Sequence, residues 1–217
     1  MLRSLNSLIG YRIIAKDGAA GQVLDLSINT SDWRVTELVA KVGGWWRAKE
    51  VRIPSICLRR AVGVTDMLAV SLTKEQIREC PSTVDAKIPP RARTQDPLTT
   101  EVPSELVTPQ PVRWQSMVAY QVQALDGRAG VLKDLIMCEE NWHIRYLVVK
   151  LAIEDASHQT LVSSNWVSSI HDDRSSILLN LNIPELIGSP EYDPIVPINR
   201  DIEGNFYDYY GQPFRHE

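Results

Sequence analysis

No stretch of this 217-residue chain approaches the roughly 20 consecutive apolar residues that a membrane-crossing helix needs, so no transmembrane segment is expected. The first ten residues hold one arginine and no continuous apolar run, which argues against a secretory signal. Cysteine is scarce. Cys57, Cys80 and Cys138 are odd in number and widely spaced, which suits a reducing cytoplasm better than a disulfide framework. His143, His158, His171 and His216 fall at no metal-ligand spacing, and the chain has no CxxC or HExxH motif, so neither metal nor other cofactor is expected. There is no Gly-x-Ser-x-Gly elbow. Gly18-Ala-Ala-Gly21 leads from one strand into another, so it offers phosphate no helix N-terminus. A net charge of −4 excludes a broadly basic surface. Arg59-Arg60 and Arg91-Ala92-Arg93 are short clusters without interleaved aromatics, and they give no direct evidence for nucleic acid.

What the chain does have is a repeat. Residues 11–42 lie over residues 120–151 without a gap, with 12 of the 32 positions identical. Ordinary composition would give about two. The shared residues include Asp17/Asp126, Gly18/Gly127, Gly21/Gly130, Asp25/Asp134 and Trp33/Trp142, all offset by 109. Asp17-Gly18 and Asp126-Gly127 favour tight hairpin turns. Strands are expected before and after each turn, then from Trp33 and Trp142 onward, where β-branched and aromatic residues gather. Alternation puts Leu26 and Ile28 inward, with Asp25 and Ser27 outward. Thr73-Lys-Glu-Gln76 and Asn182-Ile-Pro-Glu185 start one short helix per copy. The expected fold is mainly β: two small antiparallel barrels, each with one short capping helix. Their bounds are 1–85 and 112–193, with a six-proline linker at 86–111 and an aromatic arm at 194–217 that should pack on a barrel or on a second chain.

Asp-Gly-x-x-Gly, Trp33-Arg-Val-Thr-Glu-Leu-Val, Gly43-Gly44-Trp45-Trp46 and Lys49-Glu-Val-Arg-Ile-Pro54 resemble the PRC-barrel family, which is named for the photosynthetic reaction-centre H subunit. The second copy resembles it through Trp142-His-Ile-Arg-Tyr-Leu-Val-Val149 and Ser189-Pro-Glu-Tyr-Asp193, continuing to Tyr209-Tyr210-Gly211-Gln212-Pro213. The resemblance is to bacterial proteins with tandem barrels and no assigned activity. It implies a docking or assembly module without catalysis, hence no catalytic residue. Two alternatives follow from the same family: an accessory subunit of a membrane electron-transfer complex, peripherally attached, or a ribosome or RNA assembly factor.

Among individual residues, the Asp25/Asp134 pair could be an acid–base or cation-binding group, but the reading favoured here is a strand aspartate accepting hydrogen bonds from a neighbouring turn. Trp45, Trp46, Tyr209 and Tyr210 are the candidate interaction residues. In Gly43-Gly44-Trp45-Trp46 one indole should enter the barrel while the other points outward, and exposed aromatics favour an interface. The expected partner is a protein of unknown identity, with self-association into a homodimer a further expectation.

Overall fold

The computed structural model describes residues 1–43, 48–59, 66–82, 111–152, 158–196, 198 and 200–210. The first half contains β1 (Leu2–Ser4), α1 (Leu5–Leu8), β2 (Arg12–Ala15), β3 (Gly18–Asn29), β4 (Arg34–Val42), β5 (Lys49–Pro54), β6 (Met67–Ala69) and α2 (Lys74–Glu79). The second contains β7 (Val112–Arg113), α3 (Trp114–Met117), β8 (Gln121–Ala124), β9 (Gly127–Cys138), β10 (His143–Leu151), β11 (Gln159–Ser163), β12 (Val167–His171), β13 (Ser176–Leu179) and α4 (Ile183–Ile187), and it is followed by α5 (Arg200–Tyr210). Arg12 and Gln121, Gly18 and Gly127, Arg34 and His143, and Lys74 and Ile183 open corresponding elements, each pair 109 positions apart.

The shared residues explain the shared geometry. Gly18 and Gly127 take φ of 116° and 149° at the hairpin turns, a region that costs side-chain-bearing residues dearly. The turn aspartates then reach forward. Asp17 Oδ1 accepts from the Lys74 N–H at 2.9 Å, and Asp126 Oδ1 from the Ile183 N–H at 2.8 Å, so each hairpin caps the helix of its own half. Both expected capping boxes are formed, Thr73 with Gln76 and Asn182 with Glu185. A Cβ on Gly21 would collide with the Lys41 carbonyl oxygen, and one on Gly130 with that of Lys150, so only glycine lets these strands approach.

The mainly β architecture matches the expectation, and pairing runs round each half: β6-β2-β3-β4-β5, where Leu58 beyond β5 bridges Val70 beyond β6, and β12-β13-β8-β9-β10-β11, where β11 leads on into β12. The thirteen strands form one sheet, ordered β12-β13-β8-β9-β10-β4-β3-β2-β6 along its main path. Each half also lends its first strand to the other. β1 pairs with β9, setting Arg3 opposite Met137 and Ser4 opposite Ile136. β7 pairs with β3, setting Val112 opposite Ile28 and Arg113 opposite Ser27. At the junction Arg34 of β4 pairs with His143 of β10, the same repeat position in both halves. Two reciprocal backbone bonds cross there: the Val35 N–H donates to the Trp142 carbonyl at 2.9 Å and the Ile144 N–H to the Trp33 carbonyl at 2.7 Å. Trp33 and Trp142 do not begin the strands. They sit before them with φ of 55° and 58°, which turns their carbonyls into this crossing.

The apolar core is continuous across both halves. Leu5 and Leu8 of one exchanged helix and Trp114 and Met117 of the other are fully buried in it. Trp114 Nε1 donates to Asn6 Oδ1 at 3.0 Å, which joins the two exchanged helices and satisfies the indole. A second, smaller cluster contains Ile136, Val148, Leu161, Tyr192 and Phe206. It forms where α5 and the chain leading to it cover the outer face of β9, β10 and β11. The aromatic arm thus packs on the second half, as a helix that the sequence pattern did not suggest.

Candidate functional site

Asp25 and Asp134, the most site-like pair in the sequence, are clamps for the exchanged segments. Asp25 Oδ1 accepts from the Gln115 N–H at 3.1 Å, and the Gln115 side-chain amide donates to the Leu24 carbonyl at 2.8 Å. In the other direction Asp134 Oδ1 accepts from the Asn6 N–H at 3.2 Å, and the Asn6 amide donates to the Lys133 carbonyl at 3.0 Å. Ser4 Oγ also donates to Asp134. The outward face expected for Asp25 and Ser27 is therefore covered: Asp25 is 3% exposed, because the other half's strand lies over it. The two aspartates accept hydrogen bonds as expected, but from the other half and from the next residue of their own strand, Leu26 or Leu135, and not from a neighbouring turn. Burial raises both carboxyl pKa values, and the backbone donors oppose the shift. The first arm carries a further lock in the ion pair between Arg3 Nε and Glu139, whose side chains are largely buried.

The concavities of the described surface include two of similar size. The larger, about 330 Å³, opens at the junction between Arg34, Ile56 and Arg59 of the first half and Glu140, Asn141 and Trp142 of the second. Ile56 stands 84% exposed on it. The smaller, about 270 Å³, lies between the first hairpin and α2, lined by Ala19, Ala20, Gly21, Gly43, Lys74 and Arg78. The matching region of the second half has aliphatic residues on its helix, Ile183 and Ile187 for Lys74 and Arg78, and Leu125 for Lys16 before the turn, while Arg128 stands where Ala19 does. Leu125 is 65% exposed and Ile187 43%. The Tyr209 hydroxyl lies close against Gly188, beside Ile187.

The remaining sequence candidates scatter. Tyr209 is 41% exposed and so stays on the surface, whereas Tyr210 packs against both apolar clusters and is not a free interface residue. Their rings meet edge to face at 5.0 Å. Trp45 and Trp46 lie outside the described residues, as do Arg60 and the Arg91-Arg93 cluster. His143 sits at the junction and not at a free edge, and burial, then the cations of Arg145 and Arg34, lower its pKa. Cys80 is half-buried against the core, with Sγ donating to the Gln76 carbonyl at 3.4 Å.

One pairing escaped the sequence reading: Ser169 Oγ and His171 Nε2 are 3.2 Å apart on β12. Strand neighbours two apart share a face, which is sufficient cause for this contact. Among the described residues, no three His, Cys, Asp or Glu side chains gather as a metal ion would need, and no helix is long and apolar enough to cross a membrane.

A family model described as the PRC-barrel domain matches residues 2–77, the span from β1 into α2. A PRC-barrel domain therefore makes up the first half. No curated protein matches the chain.

Proposed function

We propose that this chain is a non-catalytic docking module in which two PRC-barrel-like halves, the second a diverged copy of the first, hold two chemically different binding faces on one rigid frame. The observation that carries this reading is the divergence at matched positions. The hairpin and helix of the first half present Lys16, Lys74 and Arg78 where those of the second present Leu125, Ile183 and Ile187. The frame itself is kept alike down to the clamp aspartates and turn glycines. Exposed aliphatic side chains grouped at one end of a molecule favour a protein partner there. The aspartates that might have supported acid–base chemistry already serve the exchanged arms.

The test is capture of partners from the native cell, comparing wild type, Leu125→Asp/Ile187→Asp and Trp45→Ala/Trp46→Ala. Loss of one reproducible partner in a single variant supports docking at that face. An identical partner set in all three removes the aliphatic face and the Trp45-Trp46 segment as docking sites. Fractionation of the same extract separates the alternatives. Co-sedimentation with membranes would favour an accessory subunit of an electron-transfer complex, and salt-sensitive co-fractionation with ribosomal particles an assembly factor.

A further inference from the structure

The geometry points to the cleft between the first hairpin and α2 as a binding site for a compact oxyanion of the phosphate type. This inference concerns the cationic one of the two proposed faces, but it needs neither a protein partner nor the second half's apolar face.

Three features of the cleft support it. Among the described residues its lining holds two cations, Lys74 and Arg78, and no acid. The two lie four residues apart on α2, so they share one face about a turn from each other. Its floor is Ala19, Ala20, Gly21 and Gly43, residues with no side chain beyond a methyl, which leaves room for a ligand beneath the cationic heads. Neither cation makes an ion pair among the described residues, whereas Arg34, Arg52 and Arg113 each have an acidic neighbour within 4 Å. The Lys74 ammonium is held near the hairpin, 3.1 Å from where a Cβ on Gly18 would stand, so the bare turn makes its place.

The ordinary alternative is a solvated basic face. The repeat argues against indifference at these positions, because the same scaffold is built in the second half with Ile183 and Ile187 there. The fold does not require the charges. Nor does the site borrow a helix terminus, since the Lys74 N–H is already taken by Asp17. Glu79 lies about 100° round the helix from Arg78 and farther from Lys74, whereas Glu75 lies about 100° from Lys74 but only about 60° from Arg78. Glu75 and Asp17 are the acids that oppose an anion here, and they keep the affinity modest. Two adjacent cations match the charge of a phosphate dianion and give charge-assisted hydrogen bonds to its oxygens.

The full-length chain is titrated calorimetrically with inorganic phosphate at low ionic strength, against Lys74→Gln/Arg78→Gln, Lys74→Arg and Arg174→Gln, a control at an exposed cation of the second half. Wild type should bind one phosphate per chain saturably. Each charge removed should weaken binding by about tenfold, with Lys74→Arg and Arg174→Gln close to wild type. Circular dichroism and melting curves check that the variants stay folded, as expected for side chains outside the core. Flotation with phosphatidylcholine vesicles, with and without phosphatidic acid, distinguishes the sources. Recruitment by phosphatidic acid that is lost in the double variant assigns the oxyanion to a lipid headgroup, and no recruitment assigns it to a soluble phosphate. Unsaturable binding, or equal binding by wild type and the double variant, overturns the site.

Discussion

The two halves of this molecule agree where they touch each other and differ where they face outward. At the junction the agreement is close: Trp33 with Trp142, Asn6 with Gln115 and Asp25 with Asp134 make the same bonds in opposite directions. On the outer sheet face the halves part. Ile136, Tyr146 and Leu161 of the second half lie under or beside α5, and their counterparts in the first are Ser27, Glu37 and Arg52, the last two ion-paired at 3.7 Å. An exchanged-arm frame has little freedom at its crossing, since an arm must fit the other half. The outer faces carry no such constraint, and there the chemistry has been reassigned.

The largest effect should come from the exchanged helices. Trp114→Ala removes a fully buried indole and should cost about 3–5 kcal/mol, and Leu5→Ala at the matching position about 2–5 kcal/mol. Urea unfolding measures both. The comparison is sharpened by where each loss is felt. Leu5→Ala should lower hydrogen-exchange protection in β9 of the other half more than in β3 of its own, and Trp114→Ala the reverse. If each substitution loosened only its own half, the arms would not be coupling the halves.

Next in size are the clamps. Asp134→Ala leaves the Asn6 and Leu135 N–H groups short of an acceptor and should cost about 1–3 kcal/mol. Asp134→Asn keeps an acceptor and has no charge to desolvate. The folded-state pKa of Asp134 is raised, so its carboxyl binds a proton more tightly folded than unfolded. Its contribution to stability is therefore fully present below the unfolded value of 3.8 and is lost as pH rises through the folded pKa. Relative to Asp134→Asn, wild type should lose stability as pH rises above the unfolded value of 3.8, and wild type should compare with Asp25→Asn in the same way because that shift has the same sign and cause. Denaturant titrations of the three proteins at several pH values decide this. A gap that widened towards acid would contradict the burial argument.

How much of this was legible in the sequence depends on how local the cause was. The Asp-Gly turns and the two capping pairs are set within a few residues, and they formed where the sequence put them. The exchange was invisible. β1 and β7 span three and two residues, too short for any periodicity, and their partners lie more than 80 positions away. Asp25 was misassigned outward for the same reason, since alternation reports which side of a strand a residue occupies but not what later covers it. The α5 helix was missed because Gly204 and Asn205 are poor helix formers at its centre. Its stability comes from the apolar face of β9, β10 and β11. The diverged pair of faces was readable once the repeat was aligned, but only the fold shows that positions 16, 74 and 78 belong to one hairpin and helix.

A smaller effect tests the outer face. Phe206 is 3% exposed in the cluster under α5, and Phe206→Ala should weaken docking of that helix by about 2 kcal/mol. Tyr146 follows it, because burial, with Glu203 adding to it, raises the phenol's pKa, and its hydroxyl donates to Glu203 at 3.2 Å. Limited proteolysis should cut α5 earlier while the midpoint of global unfolding moves less. An equal fall in both would mean that α5 is part of the cooperative core and not a cover laid over one half.

The smallest stability change should accompany the exchange of surface chemistry between the halves. Leu125→Lys/Ile183→Lys/Ile187→Arg writes the first half's pattern onto the second. Leu125 and Ile187 are largely exposed, so each change there should stay within about 0.5 kcal/mol, and Ile183, half-buried against the Gly127 turn, should contribute most of any loss. A thermal melt measures this. Because Arg128, Ala129 and Gly130 stand where Ala19, Ala20 and Gly21 do, the grafted cleft would keep a small-residue floor but gain a third cation at its rim. Phosphate titration of the graft should then find two sites per chain in place of one. If stability held and no second site appeared, the cations alone would be insufficient, and the difference between the halves would have to reside in the hairpin that leads into Gly43 and not in the helix.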